Sequence, residues 1–256
     1  NRLQAPRRLL ATVPVNPTNW DHALADLIIL GFFFLLRPGE YTESPSHTTA
    51  FKLQDVSVLI DGTKYNAATV DLSGLARATD VTLLFTNQKN GHKGESITHH
   101  STSDPLMCPV RAACRRIRHL RTNDAPANTP LYTCYSTRST DNVTTNRVTT
   151  SLRDACRRMG TTFGLSPSDI SARALRAGGA MALLRSNVDP AEIRLLGRWK
   201  SWAMLRYLHS SSSPPPDLAT KMLTGGSFCI LQHQHLPEDV RAVLSRHPDE
   251  PQPATA

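Results

Sequence analysis

The sequence predicts an α+β domain, mostly helical, arranged around a small, mostly antiparallel sheet. Two observations predict it. Segments with helical apolar spacing or clear helix caps lie on both sides of a single β-rich region between residues 53 and 99. That region contains alternating runs, the turn dipeptide Asp61-Gly62 and a polar hairpin loop. A third observation excludes the main competitor. Strands and helices do not alternate regularly, and no G-x-x-x-x-G-K loop is present, so a nucleotide-binding parallel sheet is not expected.

The elements follow in order. Pro17-Thr18-Asn19 opens a helix in which Trp20, Ala23, Leu24, Leu27 and Ile28 share a face; it is predicted to run through Leu36 and to stop at Arg37-Pro38-Gly39. Leu53–Ile60 alternates and ends at the turn, and Ala68–Leu72 reads as a short strand. Val81–Thr86 and Glu95–His99 flank the loop Gln88-Lys89-Asn90-Gly91-His92-Lys93-Gly94. Cys108-Pro109 starts a helix reaching about Leu120, and Asn123–Pro130 is a loop. Helices are then predicted over Thr145–Met159, ending at Gly160, and over Ala172–Arg185. Asp189 caps a short helix with Pro190 at its first position and Gly197 at its stop; Ser201 caps another through His209. Ser210–Pro216 reads as a low-complexity hinge, Pro237–Leu244 as a modest helix and Pro248–Ala256 as disordered.

At 256 residues, 39% hydrophobic and 20% charged, the chain has a globular composition and can bury a sizeable core. Its longest apolar run, Leu27–Leu36, is shorter than the roughly 18–20 residues of a membrane-spanning helix, so no membrane partner is expected. Pro14 and Pro17 interrupt the amino-terminal stretch before a signal-peptide core can build. The sequence opens at Asn1 rather than Met, and further upstream sequence is expected. Five cysteines, none in a C-x-x-C spacing, argue against a disulfide framework or zinc ribbon and favour a reducing, intracellular compartment. His99-His100 and His233-x-His235 lack Cys or carboxylate partners at ligand spacing, so no metal is expected.

The formal charge of +8 is concentrated. Between Asn146 and Arg206 eleven basic residues stand against four acidic ones, and ten of the eleven are arginine. Lysine would serve a solvated face equally well, whereas arginine suits bidentate phosphate contact, which points to a polyanionic partner. Arg153, Arg157 and Arg158 fit either phosphate contact or a solvated face. Arg176 lies near a helix start, where a cation opposes the dipole; that placement points to a bound anion.

Two segments carry a more specific signal. The first is Leu36-Arg37-Pro38-Gly39-Glu40-Tyr41, an Arg with Glu three residues on after a strongly apolar helix. The second is Ser171-Ala172-Arg173-Ala174-Leu175-Arg176-Ala177-Gly178-Gly179-Ala180, followed by Leu196-Gly197-Arg198-Trp199 and Met204-Leu205-Arg206-Tyr207-Leu208-His209. In this order the set resembles the two boxes of the tyrosine recombinases (phage-integrase type), and its wording is similar to recombinases of eukaryotic Crypton- and DIRS-type mobile elements. The resemblance covers residues 18–210. It implies a helical catalytic domain around a three-stranded antiparallel sheet, with residues 1–17 a linker or remnant of an amino-terminal DNA-clamping domain. Residues 211–256 would form a hinge and tail, with Asp217–Ile230 the segment that packs on a neighbour. Double-stranded DNA as partner, a homotetramer on that DNA, DNA integration or recombination as the process, and a nuclear location in a eukaryote are implied as well.

The chemistry implied is metal- and nucleotide-independent, with no cofactor. Arg37 and Arg176 would clamp the non-bridging oxygens of a DNA phosphodiester and neutralise charge as it develops. Tyr207 would attack phosphorus and hold the DNA as a 3′ ester. Lys89, or else Lys93, would protonate the departing 5′ oxygen, and Trp199 occupies the His/Trp position that meets the phosphate. Glu40 would buttress a guanidinium, and Arg198 is expected among the DNA-binding or supporting residues. One departure stands out: the family has His where this chain has Arg173, and a guanidinium cannot act as a base near neutral pH. Arg173 can still raise the local positive potential and lower the phenol's pKa. Three alternatives therefore stay open beside the recombinase: a DNA-binding remnant of the fold that no longer cuts, a type IB topoisomerase relative, and a protein-interaction domain.

Overall fold

A computed structural model describes residues 19–45, 49–86, 94–136, 139–159 and 166–202. Within them the chain is mixed α+β, with helices before and after an antiparallel sheet and one buried core cluster.

Helix α1 (Asn19–Phe33) lies at the centre. Its residues from Ala23 onward are buried on nearly every face, as expected of a helix that is apolar all round. It stops three residues earlier than its apolar run. Leu35 adopts a left-handed conformation (φ 49°), and the Leu36 N–H donates back to the Gly31 carbonyl at 3.0 Å, a Schellman-type end. Pro38 therefore opens the next turn, α2 (Pro38–Tyr41), rather than ending α1. The helices that follow are α3 (Pro109–Arg121), α4 (Thr145–Met159), α5 (Ala174–Arg185) and α6 (Pro190–Leu196), close to their predicted spans. In α3, Val110, Ala113, Cys114, Ile117 and Leu120 form the buried stripe that packs on α1 and the sheet. In α6 the Asp189 carboxylate accepts from the Ala191 N–H at 2.7 Å, the predicted cap.

The sheet has four strands, not three. β1 (Val56–Ile60), β2 (Thr63–Asn66), β3 (Ala78–Phe85) and β4 (Glu95–His100) pair antiparallel in the order β2-β1-β3-β4. The extra strand, β2, is exposed throughout. Asp61 and Gly62 both take positive φ and turn the chain straight back along β1. Ala68–Leu72 is not a strand: Asp71 caps a 3₁₀ turn at Leu72–Arg77 by accepting from the Ser73 N–H. A second small sheet, β5 (Thr133–Tyr135) with β6 (Thr140–Asn142), lies before α4. The buried Arg116 of α3 holds it by donating to the carbonyls of Leu131 and Thr133.

Among the described residues no helix is long and apolar enough to cross a membrane. The four described cysteines are free thiols. The predicted hairpin loop up to Lys93, with Lys89, all of the predicted Ser201–His209 helix beyond Trp202, with Tyr207, the Ser/Pro hinge and the carboxyl-terminal tail lie outside the described residues.

Candidate active site

The end of α1 sets the first half of the site. After the turn at Leu35, Glu40 is the third residue of α2 and its carboxylate reaches back to accept from the Arg37 N–H at 2.7 Å, the acidic half of a capping box. Its other oxygen accepts from Arg37 Nη1 at 2.9 Å. The carboxylate is 3% exposed and the arginine 21%, so Arg37 is anchored from inside while one side of it meets solvent.

The end of α6 sets the second half, and it uses the same device. The Arg198 N–H donates to the Leu195 carbonyl and the Trp199 N–H to the Arg194 carbonyl, at 2.9 and 3.0 Å. This Schellman geometry puts Arg198, rather than Gly197, in the left-handed region (φ 58°), a placement that costs a non-glycine residue about 1 kcal/mol. Gly197 has an ordinary φ and serves a different purpose: a Cβ there would overlap the Trp199 ring.

The turn at 197–199 joins the two halves. Arg198 is buried, its side chain 1% exposed, and Nη2 donates to Glu40 at 2.9 Å. Its fork also donates to the carbonyls of Phe34, Leu35 and Leu196 at 3.2–3.3 Å, capping the end of α1. The guanidinium lies 3.9 Å from the centroid of the Phe85 ring at the end of β3. Burial pushes its pKa down to about 10 against the pull of Glu40, which leaves it charged at neutral pH. On either side of it, the Gly197 carbonyl accepts from Arg176 Nη2, and Trp199 lies under the Arg176 guanidinium, 4.2 Å from centroid to carbon. A further tie runs from α2 to the residue before Arg173, since the Tyr41 hydroxyl donates to the Ala172 carbonyl at 3.1 Å. Burial raises the Tyr41 pKa far above its usual value, so it acts as a neutral donor.

The structure thus brings Arg37, Glu40, Arg176, Arg198 and Trp199 into one connected set. The set holds three guanidinia and one carboxylate, which Arg37 and Arg198 share, so it is net positive, a composition that suits an anion. Arg173 is exposed just before α5, with no side-chain bond to the helix end. Lys89, Lys93 and Tyr207 lie outside the described residues. Arg198, expected among the DNA-binding or supporting residues, is buried and directed at Glu40 and backbone carbonyls rather than at solvent. Arg153 is half-buried and donates to the carbonyls of Ile170 and Ser168. His99 is a core residue, its Nε2 2.9 Å from the Phe33 carbonyl and its ring edge-on to Phe34, while His100 pairs with Asp80. Among the described residues no three His, Cys, Asp or Glu side chains are grouped as metal ligands.

Sequence reasoning missed Tyr41 and Phe85, and the inward turn of Arg198. None of the three left a signal: a helix-stop glycine usually takes the left-handed position itself, whereas here Gly197 has an ordinary φ and Arg198 takes it. A shallow depression opens beside Glu40. Its lining includes Asp55, Phe85 and Thr86 and carries two carboxylates without a cation, which does not suit an anion. No protein-family model and no curated protein matches this chain.

Proposed function

We propose that the chain is a DNA strand-cleaving and rejoining domain of the tyrosine recombinase type. One observation supports the reading above the rest. Two motifs some 160 residues apart are tied together by the Glu40–Arg198 pair, with Arg37 and Arg176 on either side of the tie. A resemblance resting on word order alone carries no requirement that the words meet.

In this reading Arg37 and Arg176 hold the non-bridging oxygens of one phosphodiester, and Trp199 keeps the Arg176 plane oriented. The Tyr207 oxygen attacks phosphorus in line as the bond to the 5′ oxygen breaks. That oxygen takes a proton from the Lys89 ammonium, and the phenol's proton passes to water, because Arg173 cannot accept it. A 5′ hydroxyl then attacks the phosphotyrosine, the phosphorus–phenol bond breaks, and the tyrosine regains a proton. Phosphoester number is conserved, so the cycle requires no external energy source.

A second reading, a DNA-binding remnant that does not cut, is favoured by Arg173, which occupies the position of a proton acceptor and cannot serve as one. Covalent trapping on nicked duplex DNA separates the two. The recombinase yields an adduct that disappears in Tyr207→Phe; the remnant yields salt-sensitive binding and no adduct. Relaxation of supercoils by a monomer would instead support the topoisomerase relative, and loss of all salt-dependent DNA affinity would refute every DNA reading.

A further inference from the structure

We infer that Arg198 is the positioning residue of this site: by occupying one oxygen of Glu40 it keeps Arg37 turned toward the anion instead of folded onto the carboxylate. The inference rests on the phosphate-clamp reading of Arg37 and Arg176.

Glu40 faces two guanidinia at once. Arg37 Nη1 reaches Oε1, and Arg198 Nη2 reaches Oε2 beside the Arg37 N–H. A guanidinium and a carboxylate left alone pair through two parallel bonds, and a charge so paired attracts a third group weakly. With Arg198 in place the second oxygen is taken, and Arg37 keeps a single side-chain bond to the carboxylate. Arg198 also fixes the backbone on which Arg37 stands, through the Phe34 and Leu35 carbonyls. Its sequence neighbours fix the other clamp: Gly197 holds the Arg176 fork and Trp199 supports its plane. One residue therefore sets both guanidinia relative to each other.

The backbone supplies an independent argument. Arg198 is held at φ 58°, where glycine would form the same turn without strain. A sequence selected for the turn alone has no use for arginine there. Strain of this kind persists where a side chain must be aimed, and this one is aimed into the interior, 1% exposed. Because it touches no solvent-borne group, Arg198 positions and does not react.

The test uses the full chain with ¹⁵N-labelled arginine and inorganic phosphate as probe. The Arg37 Nε–H resonance, assigned by its loss in Arg37→Lys, is followed through a phosphate titration. Wild type is expected to respond, and Arg198→Met to respond about tenfold more weakly, the scale of one charge-assisted bond. The double variant Glu40→Gln with Arg198→Met is expected to recover to within about threefold of wild type, because a neutral amide no longer captures Arg37. A purely architectural arginine would give no such recovery. Where Arg198→Met does not fold, Arg198→Lys carries the comparison, since an ammonium lacks the fork and should respond between the two. An Arg198 variant that responds like wild type, or a folded double variant without recovery, overturns the inference alone. A wild type in which phosphate leaves Arg37 unmoved refutes the clamp itself.

Discussion

Gly197 shows how a single hydrogen atom in place of a methyl group arranges the site. Its φ is ordinary, so alanine would be tolerated by the backbone, but the added Cβ would overlap the Trp199 ring. Gly197→Ala should therefore displace Trp199 from Arg176, shifting the tryptophan fluorescence and reducing strand cleavage at least about tenfold. The accompanying stability loss should be about 1–3 kcal/mol, as for other overpacked sites. Unchanged fluorescence would show that the ring does not rest where Gly197 leaves room for it. Asp26 offers a second test at this scale. Its carboxyl pKa is raised from 3.8 to about 6, because burial outweighs the ion pair with Arg115. Between those values the folded chain binds more protons than the unfolded one, so this group's contribution falls as pH rises from about 4 to about 6, and is level above that. Wild type minus Asp26→Asn, compared by urea unfolding across that range, should show a decline of the order of 2–3 kcal/mol. A difference that rises with pH would show that the ion pair, and not burial, governs Asp26.

At the scale of elements, helix ends matter more than helix bodies. α1 and α6 both finish in Schellman turns with a non-glycine residue in the left-handed position, Leu35 and Arg198, and the second caps the first. A similar tie comes from the body of α3, where Arg116 donates to the carbonyls of Leu131, just before β5, and Thr133, within it. Arg116→Met should leave those carbonyls unbonded and cost about 2–4 kcal/mol by chemical denaturation, with β5–β6 amides losing exchange protection first. A loss under about 0.5 kcal/mol, the level of an ordinary surface substitution, would show the clamp to be incidental.

The start and stripe of α3 and the cap of α6 were legible in the sequence because each is a local matter of proline, aspartate and apolar spacing. The end of α1 was not, since its apolar run continues to Leu36 while the turn at Leu35 is held by a partner some 160 residues away. Strand β2 was silent for another reason: Thr-Lys-Tyr-Asn is exposed on all sides and has no alternation to read. The site residues Arg37, Glu40, Arg176 and Trp199 were legible through spacing and order. That Arg198 turns inward depended on a backbone angle no composition encodes.

Considered whole, the molecule places an arginine-rich segment around a turn that also gathers the first motif, and this arrangement has a thermodynamic signature. Binding to duplex DNA should weaken linearly in log salt, with a slope of about −0.9 for each phosphate neutralised. Arg173→Ala should reduce that slope by about one unit, since its side chain is exposed beside the site. An unchanged slope in Arg173→Ala would show that this side chain lies off the DNA. The central claim, that a phenol becomes esterified to DNA where the two motifs converge, is tested most directly by mass spectrometry. The full chain would be incubated with nicked duplexes that trap the covalent intermediate, then digested. A peptide carrying a 3′-linked nucleotide on Tyr207, absent from Arg37→Ala and Arg176→Ala, is the predicted result. Full occupancy of DNA with every Tyr207 peptide unmodified, or an adduct on a different residue, would contradict it.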